Sequence, residues 1–338
     1  MLTNLHTDYQ YGSYLADRTR LLKFRENQAL FFSPNNPALL GPHFDNKDSL
    51  ALGYGFDLLA HSNAQILASL QAIGLTDADV GWTSPSQKAH DLNLLDIYRQ
   101  TRSGVSGQEW NNRASKLFFH LPTEAKATEL LNAAAADAET KLDEALFSRG
   151  FQIPDSKERL ALVSMVYSGG LGVFGSLTTS KLLDALETDN RAEAWYEIRY
   201  GTNAESRSQD PQKQAVAHGI ANRRYVESDL FGLYGAGPIS DIESKDILKM
   251  FTRYRDLPFE EGGIRAYEAR YRPSDPSAGS QGIDFQILQA REHLIANFSE
   301  GQTIDGDVWL GSMTRTAVRP YWGPTTTICS LEKKGTIF

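Results

Sequence analysis

The sequence lacks several features that would assign a protein class at once. It contains a single cysteine, Cys329, which excludes an internal disulfide framework. No stretch approaches the ~20 consecutive apolar residues that a membrane-spanning helix needs, and no apolar run follows a basic start at the N-terminus. We therefore expect a protein that is synthesised in the cytoplasm without a signal peptide and has no membrane span.

Basic residues are also in short supply. The chain has 34 Lys and Arg against 42 Asp and Glu, which gives a net charge of −8. Because nucleic-acid binding needs clustered Lys and Arg against the phosphates, we expect no nucleic-acid partner. The histidines show no pairing at metal-ligand spacing, so neither a metal site nor a cofactor is expected.

What the sequence does contain predicts a folded, mainly helical protein. Its apolar fraction of 41% is enough for a core, and 338 residues suggest two domains or one large one. Strand-type alternation is scarce beyond the first part of the chain. Gly232, Gly237 and Pro238 then interrupt the helical pattern. We expect an α+β fold, mostly α, with a β-hairpin-bearing domain at 1–236 and a small helical domain at 237–338.

The first helix has an acidic residue where its pattern asks for an apolar one. A helix is expected over residues 14–32, and Leu15, Leu22, Glu26 and Ala29 fall on one stripe at helical spacing. A carboxyl group held against apolar neighbours is penalised in its ionised form, which would make Glu26 a proton donor near neutral pH. The alternative is a slightly rotated helix in which Glu26 is solvated.

A small hairpin is expected after this helix. The helical pattern ends at Pro34. A turn-rich run with Asp45 follows, and residues 50–58 read as a short strand broken by Gly53 and Gly55. Glycines so placed indicate a sharp bend or a close backbone approach to a ligand. A helix-borne glutamate followed by an aspartate-bearing hairpin can supply the two carboxylates of a glycosidase site.

Four segments resemble one known family when taken in their order. They are FREN around Glu26, LGYGFDL at residues 52–58, ALVSMVYSGGLGVFG at 161–175 and GIANRRYVESDLF at 219–231. They are similar to the first helix, hairpin, central helix and closing helix of the phage-type lysozymes and their bacteriocin and endolysin relatives. The resemblance covers most of residues 12–234.

The resemblance implies a peptidoglycan hydrolase that cuts between N-acetylmuramic acid and N-acetylglucosamine. It makes Glu26 the general acid. The second carboxylate falls on Asp45 by the phage pattern and on Asp57 by the bacteriocin pattern, and both alternatives stay open. The family's threonine that places the attacking water is Ala51 here, and Ser49 is the nearest hydroxyl.

Four further residues are carried over as substrate contacts: Tyr54, Gly55, Ser168 and Arg223. In the family, the arginine matching Arg223 also pairs with the catalytic glutamate from the closing helix. The alternatives within this interpretation are a lytic transglycosylase, which needs one acid and no water-handling aspartate, and a non-catalytic protein that binds the cell wall.

Bacterial peptidoglycan is the expected partner, at the wall or in the periplasm of a target or host bacterium. An endolysin, a bacteriocin or an injected effector fits a wall hydrolase made in the cytoplasm. The last role would add an immunity protein and a secretion machinery as partners.

A second, shorter resemblance covers residues 283–322. The segments FQILQAREHLI at 285–295 and DGDVWLGSMTRTAVRPYW at 305–322 are similar to a small helical peptidoglycan-binding repeat. A Gly-rich loop that leads into a capped helix serves folding as readily as ligand binding. A structural cap on the first domain is therefore the alternative.

Overall fold

The chain folds into two units that share one long helix. The computed structural model describes residues 1–34, 36–44, 49–208, 210–274, 281–298, 302–304 and 307–308. One unit, here called the hairpin unit, is Tyr9–Thr140; the other, the helical unit, joins Met1–Asp8 to the described residues from 141 onward. Helices predominate, and a small antiparallel sheet accompanies them, so the mainly helical α+β fold is confirmed.

The hairpin unit contains a three-stranded sheet and the first six helices. Its strands are β1 (Pro42–Phe44), β2 (Leu50–Leu52) and β3 (Phe56–Asp57), and its helices are α1 (Tyr14–Glu26), α2 (Gln28–Phe32), α3 (Asn63–Ala72), α4 (Pro85–Gln100), α5 (Gly107–Ala114) and α6 (Glu124–Ser148), of which α6 continues into the helical unit. A short 3₁₀ turn lies at Pro37–Leu39.

The helix expected over residues 14–32 is wrong in one respect, because it is broken at Asn27. The backbone of Asn27 is extended, with φ −150°, and its N–H still donates to the Lys23 carbonyl at 3.2 Å. Its side-chain oxygen accepts from the N–H of Leu30 at 2.9 Å, which caps α2. One residue therefore ends α1 and starts α2, and Leu22 and Leu30 on either side are fully buried.

The run at residues 50–58, expected as a short strand broken by Gly53 and Gly55, forms two strands joined by a tight turn. Strand β2 pairs with β1 and with β3, both antiparallel, and the chain turns between β2 and β3 through Gly53 and Gly55. Both glycines have positive φ, +59° and +90°, a conformation that side-chain-bearing residues rarely adopt. A Cβ atom on Gly53 would also lie 2.9 Å from the Leu121 side chain. The turn therefore depends on glycine.

The helical unit is built around α7. Its helices are α7 (Lys157–Gly169), α8 (Lys181–Glu187), α9 (Arg191–Tyr196), α10 (Pro211–Phe231), α11 (Asp241–Tyr254), α12 (Ile264–Tyr271), α13 (Ile283–Gln286) and α14 (Leu288–Asn297). Short turns of 3₁₀ helix lie at Gly170–Phe174, Ala204–Arg207 and Phe259–Glu261, and a π-helical segment lies at Glu197–Gly201. Two short strands, β4 (Thr303–Ile304) and β5 (Asp307–Val308), pair with each other. Ser156 caps α7, whose residues 158–166 are all buried.

Tyrosine rings join the middle and the C-terminal parts of the helical unit. Tyr196 of α9 stacks on Tyr254 of α11 with ring centroids 3.8 Å apart. The Tyr200 hydroxyl donates to the Glu268 carboxylate of α12 at 2.8 Å. These contacts join residues on either side of the expected domain boundary at 236/237. The helices on both sides of that boundary belong to one unit. Residues 309–322 of the repeat-like segment lie outside the described residues.

The first eight residues belong to the helical unit through a buried charge pair. The Glu158 carboxylate is fully buried and accepts from Arg191 and from the backbone N–H of His6, at 2.8 and 3.1 Å. Arg191 also donates to the carbonyls of Thr3 and Asn4 at 3.0 and 3.1 Å. The N-terminal segment is thus tied to residues more than 150 positions away. None of the described helices is long and apolar enough to cross a membrane.

Candidate functional site

Glu26 is the last residue of α1, beside the turn between β2 and β3. The stripe expected around it is only partly apolar, because Leu22 is buried whereas Leu15 is 58% exposed and Ala29 is exposed too. Glu26 itself is half-buried. A Cβ atom on Gly55 would lie 3.4 Å from the Glu26 Cβ and 3.5 Å from its Oε2. A side chain at residue 55 would therefore contact the Glu26 side chain.

Asn27 fixes this arrangement from the next position in the chain. Its Nδ2 donates to the carbonyl of Gly53 at 3.0 Å, while its Oδ1 caps α2 at Leu30. Because the capping bond assigns the oxygen and the carbonyl assigns the nitrogen, the orientation of the amide is defined. The side chain that follows Glu26 thus binds the turn that lies against Glu26.

His43 of β1 is the second partner of the Asn27 amide. Its Nδ1 lies 2.9 Å from the Gly41 carbonyl, which only accepts, so Nδ1 carries the proton. The Nε2 atom is then an acceptor, and it lies 3.4 Å from Asn27 Nδ2. The sequence patterns did not indicate this residue. Only the strand register and the break at Asn27 bring the two side chains together.

The register places three residues in one row across the sheet. His43 of β1 is opposite Ala51 of β2, and Ala51 is opposite Asp57 of β3. Directly paired residues project from the same face of a sheet, so this row lies on the face that Asn27 contacts. Asp57 is therefore on the same small sheet, and on the same face, as the group that holds the Glu26 turn.

One oxygen of Asp57 has a structural role. Its Oδ1 accepts from the Ser49 hydroxyl and from the backbone N–H groups of Leu59 and Ala60, at 2.8 and 3.0 Å for the latter two. No hydrogen bond from the described residues reaches Oδ2. Ser49 is only 3% exposed and donates its proton to Asp57. This geometry favours a positioning role for Ser49 instead of the expected contact with the attacking water.

Tyr54 is an anchor of the hairpin. Its ring is 2% exposed, and its hydroxyl donates to Glu124 Oε1 at 2.7 Å. Lys23 pairs with the same carboxylate, which also accepts from Thr128 at 2.9 Å. Burial would raise the pKa of Glu124, but the bonds from Lys23, Tyr54 and Thr128 outweigh it and lower that pKa. The expected contact of Tyr54 with a substrate is disfavoured, because its hydroxyl is already used.

The remaining substrate contacts expected from the sequence lie in the helical unit. Ser168 is half-buried near the end of α7 and donates to the Met165 carbonyl at 3.1 Å. Arg223 of α10 donates to Glu227 at 3.2 Å, and Glu227 is almost fully buried and also accepts from Ser164 at 2.7 Å. The pairing of Arg223 with Glu26 and the contact of Ser168 with a substrate stay predictions.

Asp45 lies outside the described residues. The alternative between Asp45 and Asp57 as second carboxylate is therefore still open. Among the residues that the structure describes, no group of three or more His, Cys, Asp or Glu side chains is arranged to hold a metal ion.

The site can be summarised by its chemistry. The half-buried Glu26 carboxyl group lies close to Gly55, and a second carboxylate with one uncommitted oxygen, that of Asp57, lies two residues further along the same hairpin. The chain matches no protein family, curated protein or solved structure. The likeness to the phage-type lysozymes therefore remains a prediction from the sequence motifs.

Proposed function

We propose that the chain is a peptidoglycan hydrolase of the phage-lysozyme type, which cuts the glycosidic bond between N-acetylmuramic acid and N-acetylglucosamine. The observation that supports this most is the proximity of Gly55 to Glu26, since a Cβ atom on Gly55 would lie 3.5 Å from Glu26 Oε2. It brings a helix-borne acid to a hairpin that carries a second carboxylate, Asp57. Glycosidases of most families use such a pair of carboxyl groups.

In the proposed reaction Glu26 donates its proton to the glycosidic oxygen while the bond from that oxygen to C1 breaks. A water molecule attacks C1, and its proton passes to the second carboxylate. Asp57 Oδ2 is the acceptor that fits, because Oδ1 already holds three donors. Asp45 is the alternative acceptor. A pair of carboxyls far enough apart to hold that water gives inversion, and a closer pair gives retention.

A lytic transglycosylase is the second candidate, and one observation favours it. Ala51 has no hydroxyl, and the Ser49 hydroxyl is committed to Asp57, so neither group is arranged to place a water molecule. A transglycosylase needs none, because a hydroxyl of the muramic acid itself attacks C1 and forms an anhydro ring. Glu26 would serve as the acid in both reactions.

The test is digestion of purified sacculi by the wild type and by Glu26→Gln, with products identified by mass spectrometry. We expect the loss of the acid to lower the rate at least ~10²-fold. Glu144→Gln is the matched control, because Glu144 is an exposed glutamate. Anhydro ends on the products would select the transglycosylase, and reducing ends the hydrolase. Full activity of Glu26→Gln would refute the assignment of the acid.

Delivery is part of the same proposal. The substrate lies in the wall of a target or host bacterium, and the chain would act there as an endolysin, a bacteriocin or an effector. For an effector, an immunity protein and a secretion machinery are the proposed partners. The alternative of a wall-binding protein without activity predicts that the wild type sediments with sacculi but releases no fragments.

A further inference from the structure

A cavity of about 520 Å³ lies in the helical unit, between α12 and the start of α13. It is lined by Arg265, Glu268, Ala269, Arg272, Pro273, Ser274 and Asp284. Small-molecule sites commonly have volumes of about 300–1,000 Å³, so the space is enough for an amino acid or a short peptide. The residues of the proposed catalytic hairpin are not part of it. The cavity therefore needs an explanation of its own.

Two of the residues that line the cavity are arginines. Arg272 is exposed, and its guanidinium interacts electrostatically with the Glu268 carboxyl group, whose pKa it acts to lower. Arg265 has a half-exposed side chain and only long ion pairs, 3.5 Å to Asp256 and 3.7 Å to Asp284. A guanidinium presents planar donors that match the two oxygens of a carboxylate. Both arginines thus have donors to offer to an anionic group.

Two carboxylates supply the opposite charge. Glu268 is held in place because its Oε1 accepts from the Tyr200 hydroxyl at 2.8 Å and from the N–H of Ile283 at 3.0 Å. Asp284 has a half-exposed side chain, and its long ion pair to Arg265 leaves room for a closer partner. The cavity lining therefore combines two arginines with Asp284 and with Glu268, whose pKa is raised by burial.

Gly282 lies next to two of the residues that line the cavity, Arg272 and Glu268. A Cβ atom at this position would lie 2.6 Å from Arg272 Nη1 and 3.2 Å from Glu268 Oε2. The φ angle of Gly282 is −70°, which any residue adopts, so the backbone itself does not require glycine. What requires it is the space for the guanidinium. A side chain here would displace Arg272 with little effect on the fold.

We propose that this cavity binds the zwitterionic end of an amino acid or short peptide. The carboxylate of the ligand contacts Arg272 and Arg265, and its ammonium group contacts Asp284. In the context of the proposed function, free carboxylates and side-chain ammonium groups occur on the peptide stems of peptidoglycan, and this identification of the source rests on that function. The cavity would then bind the peptide part of the wall.

The test is calorimetric titration of the full chain with three probes. D-alanyl-D-alanine has both charges, its N-acetyl form lacks the ammonium, and its C-terminal amide lacks the carboxylate. We expect the dipeptide to bind about tenfold more tightly than either derivative, because each loses one charge-assisted contact. Equal affinity of the three probes, or no binding of any, would overturn the proposal.

Variants separate the cavity from the rest of the surface. Arg272→Gln and Gly282→Ala should each weaken dipeptide binding about tenfold, the first by removing the guanidinium and the second by displacing it. Arg270→Gln is the matched control, because Arg270 is two residues before Arg272 in the chain but lies over the Phe259 ring, 4.6 Å from its centroid. Unchanged binding by Arg272→Gln would contradict the assignment.

The two proposals fail separately. Dipeptide binding requires no cleavage of glycan, so its absence leaves the digestion of sacculi and the effect of Glu26→Gln untouched. Conversely, dipeptide binding through Arg272 without digestion of sacculi would support the proposed binding cavity and contradict the proposed hydrolase activity.

Discussion

Replacing Asn27 by alanine removes the side chain that joins α1, α2 and the hairpin turn. Two losses set the magnitude. The cap on α2 contributes about 1 kcal/mol to the free energy of unfolding. The carbonyl of the buried Gly53 loses its donor, which costs about 1–3 kcal/mol. Asn27 is half-buried, so water replaces part of the lost donor, and the sum is about 2–3 kcal/mol.

Asn27→Ser separates the two losses. A serine hydroxyl still caps α2 but is too short to reach Gly53, so this variant should be about 1 kcal/mol more stable than Asn27→Ala. The measurement is urea unfolding followed by circular dichroism, at an unchanged dependence on denaturant. Both variants should also have a lower kcat for the digestion of sacculi, because Asn27 holds the turn next to Glu26. An Asn27→Ala protein with the wild-type midpoint would refute this account of the break in the helix.

Two further predictions concern the same unit. Gly55→Ala and Gly104→Ala both place alanine at positive φ, at a cost of about 1–2 kcal/mol, but only the Cβ atom at residue 55 would contact Glu26. Gly55→Ala alone should therefore lower the rate of digestion, and equal activities at matched stability would contradict the site. The lowered pKa of Glu124 implies stability that is present above its ordinary pKa of 4.5 and lost as pH falls through the lower folded value. Glu124→Gln should reduce the dependence of the unfolding temperature on pH on the acid side. An unchanged dependence would show that the bonds from Lys23 and Tyr54 do not act on that carboxylate.

The central helix shows what the sequence predicts well. For α7, Ser156 is a good N-cap, Gly170 is a good stop, and the apolar residues surround the whole helix. All three signals are local, and they agree. The span and the burial expected from them are both found in the structure.

The surroundings of Glu26 show where local signals end. The segment FRENQALFF contains no helix-breaking residue. The break at Asn27 is favoured by its hydrogen bonds to Gly53 and His43, two residues from other parts of the chain. The burial of Leu22 but not of Leu15 follows from what packs against α1, which periodicity does not reveal. Helical spacing indicated Glu26 and the family resemblance indicated Asp57, with Asp45 as the alternative, but only the register shows that His43 and Asp57 share a row.

Tyr54 illustrates a third case, in which the residue is noted and its role is not. A tyrosine between two glycines suits contact with a ligand as well as packing in the interior. The direction of Tyr54 is determined by its hydrogen bond to Glu124, 70 residues later in the chain. A residue type gives the chemistry of a hydroxyl, but the direction in which it points depends on contacts that are distant in sequence.

The place of residues 1–8 has a consequence for biosynthesis. The ribosome completes the hairpin unit when it reaches residue 140, whereas the carbonyl of Asn4 accepts from the N–H of Ala236 at 2.7 Å. Residues 1–8 are synthesised before the hairpin unit, and they therefore wait until that unit and much of the helical unit have been made before their partners exist. Domains generally fold in the order in which they are synthesised. Here the unit that carries Glu26 can fold early, and residues 1–8, although they are synthesised before it, reach their final position later.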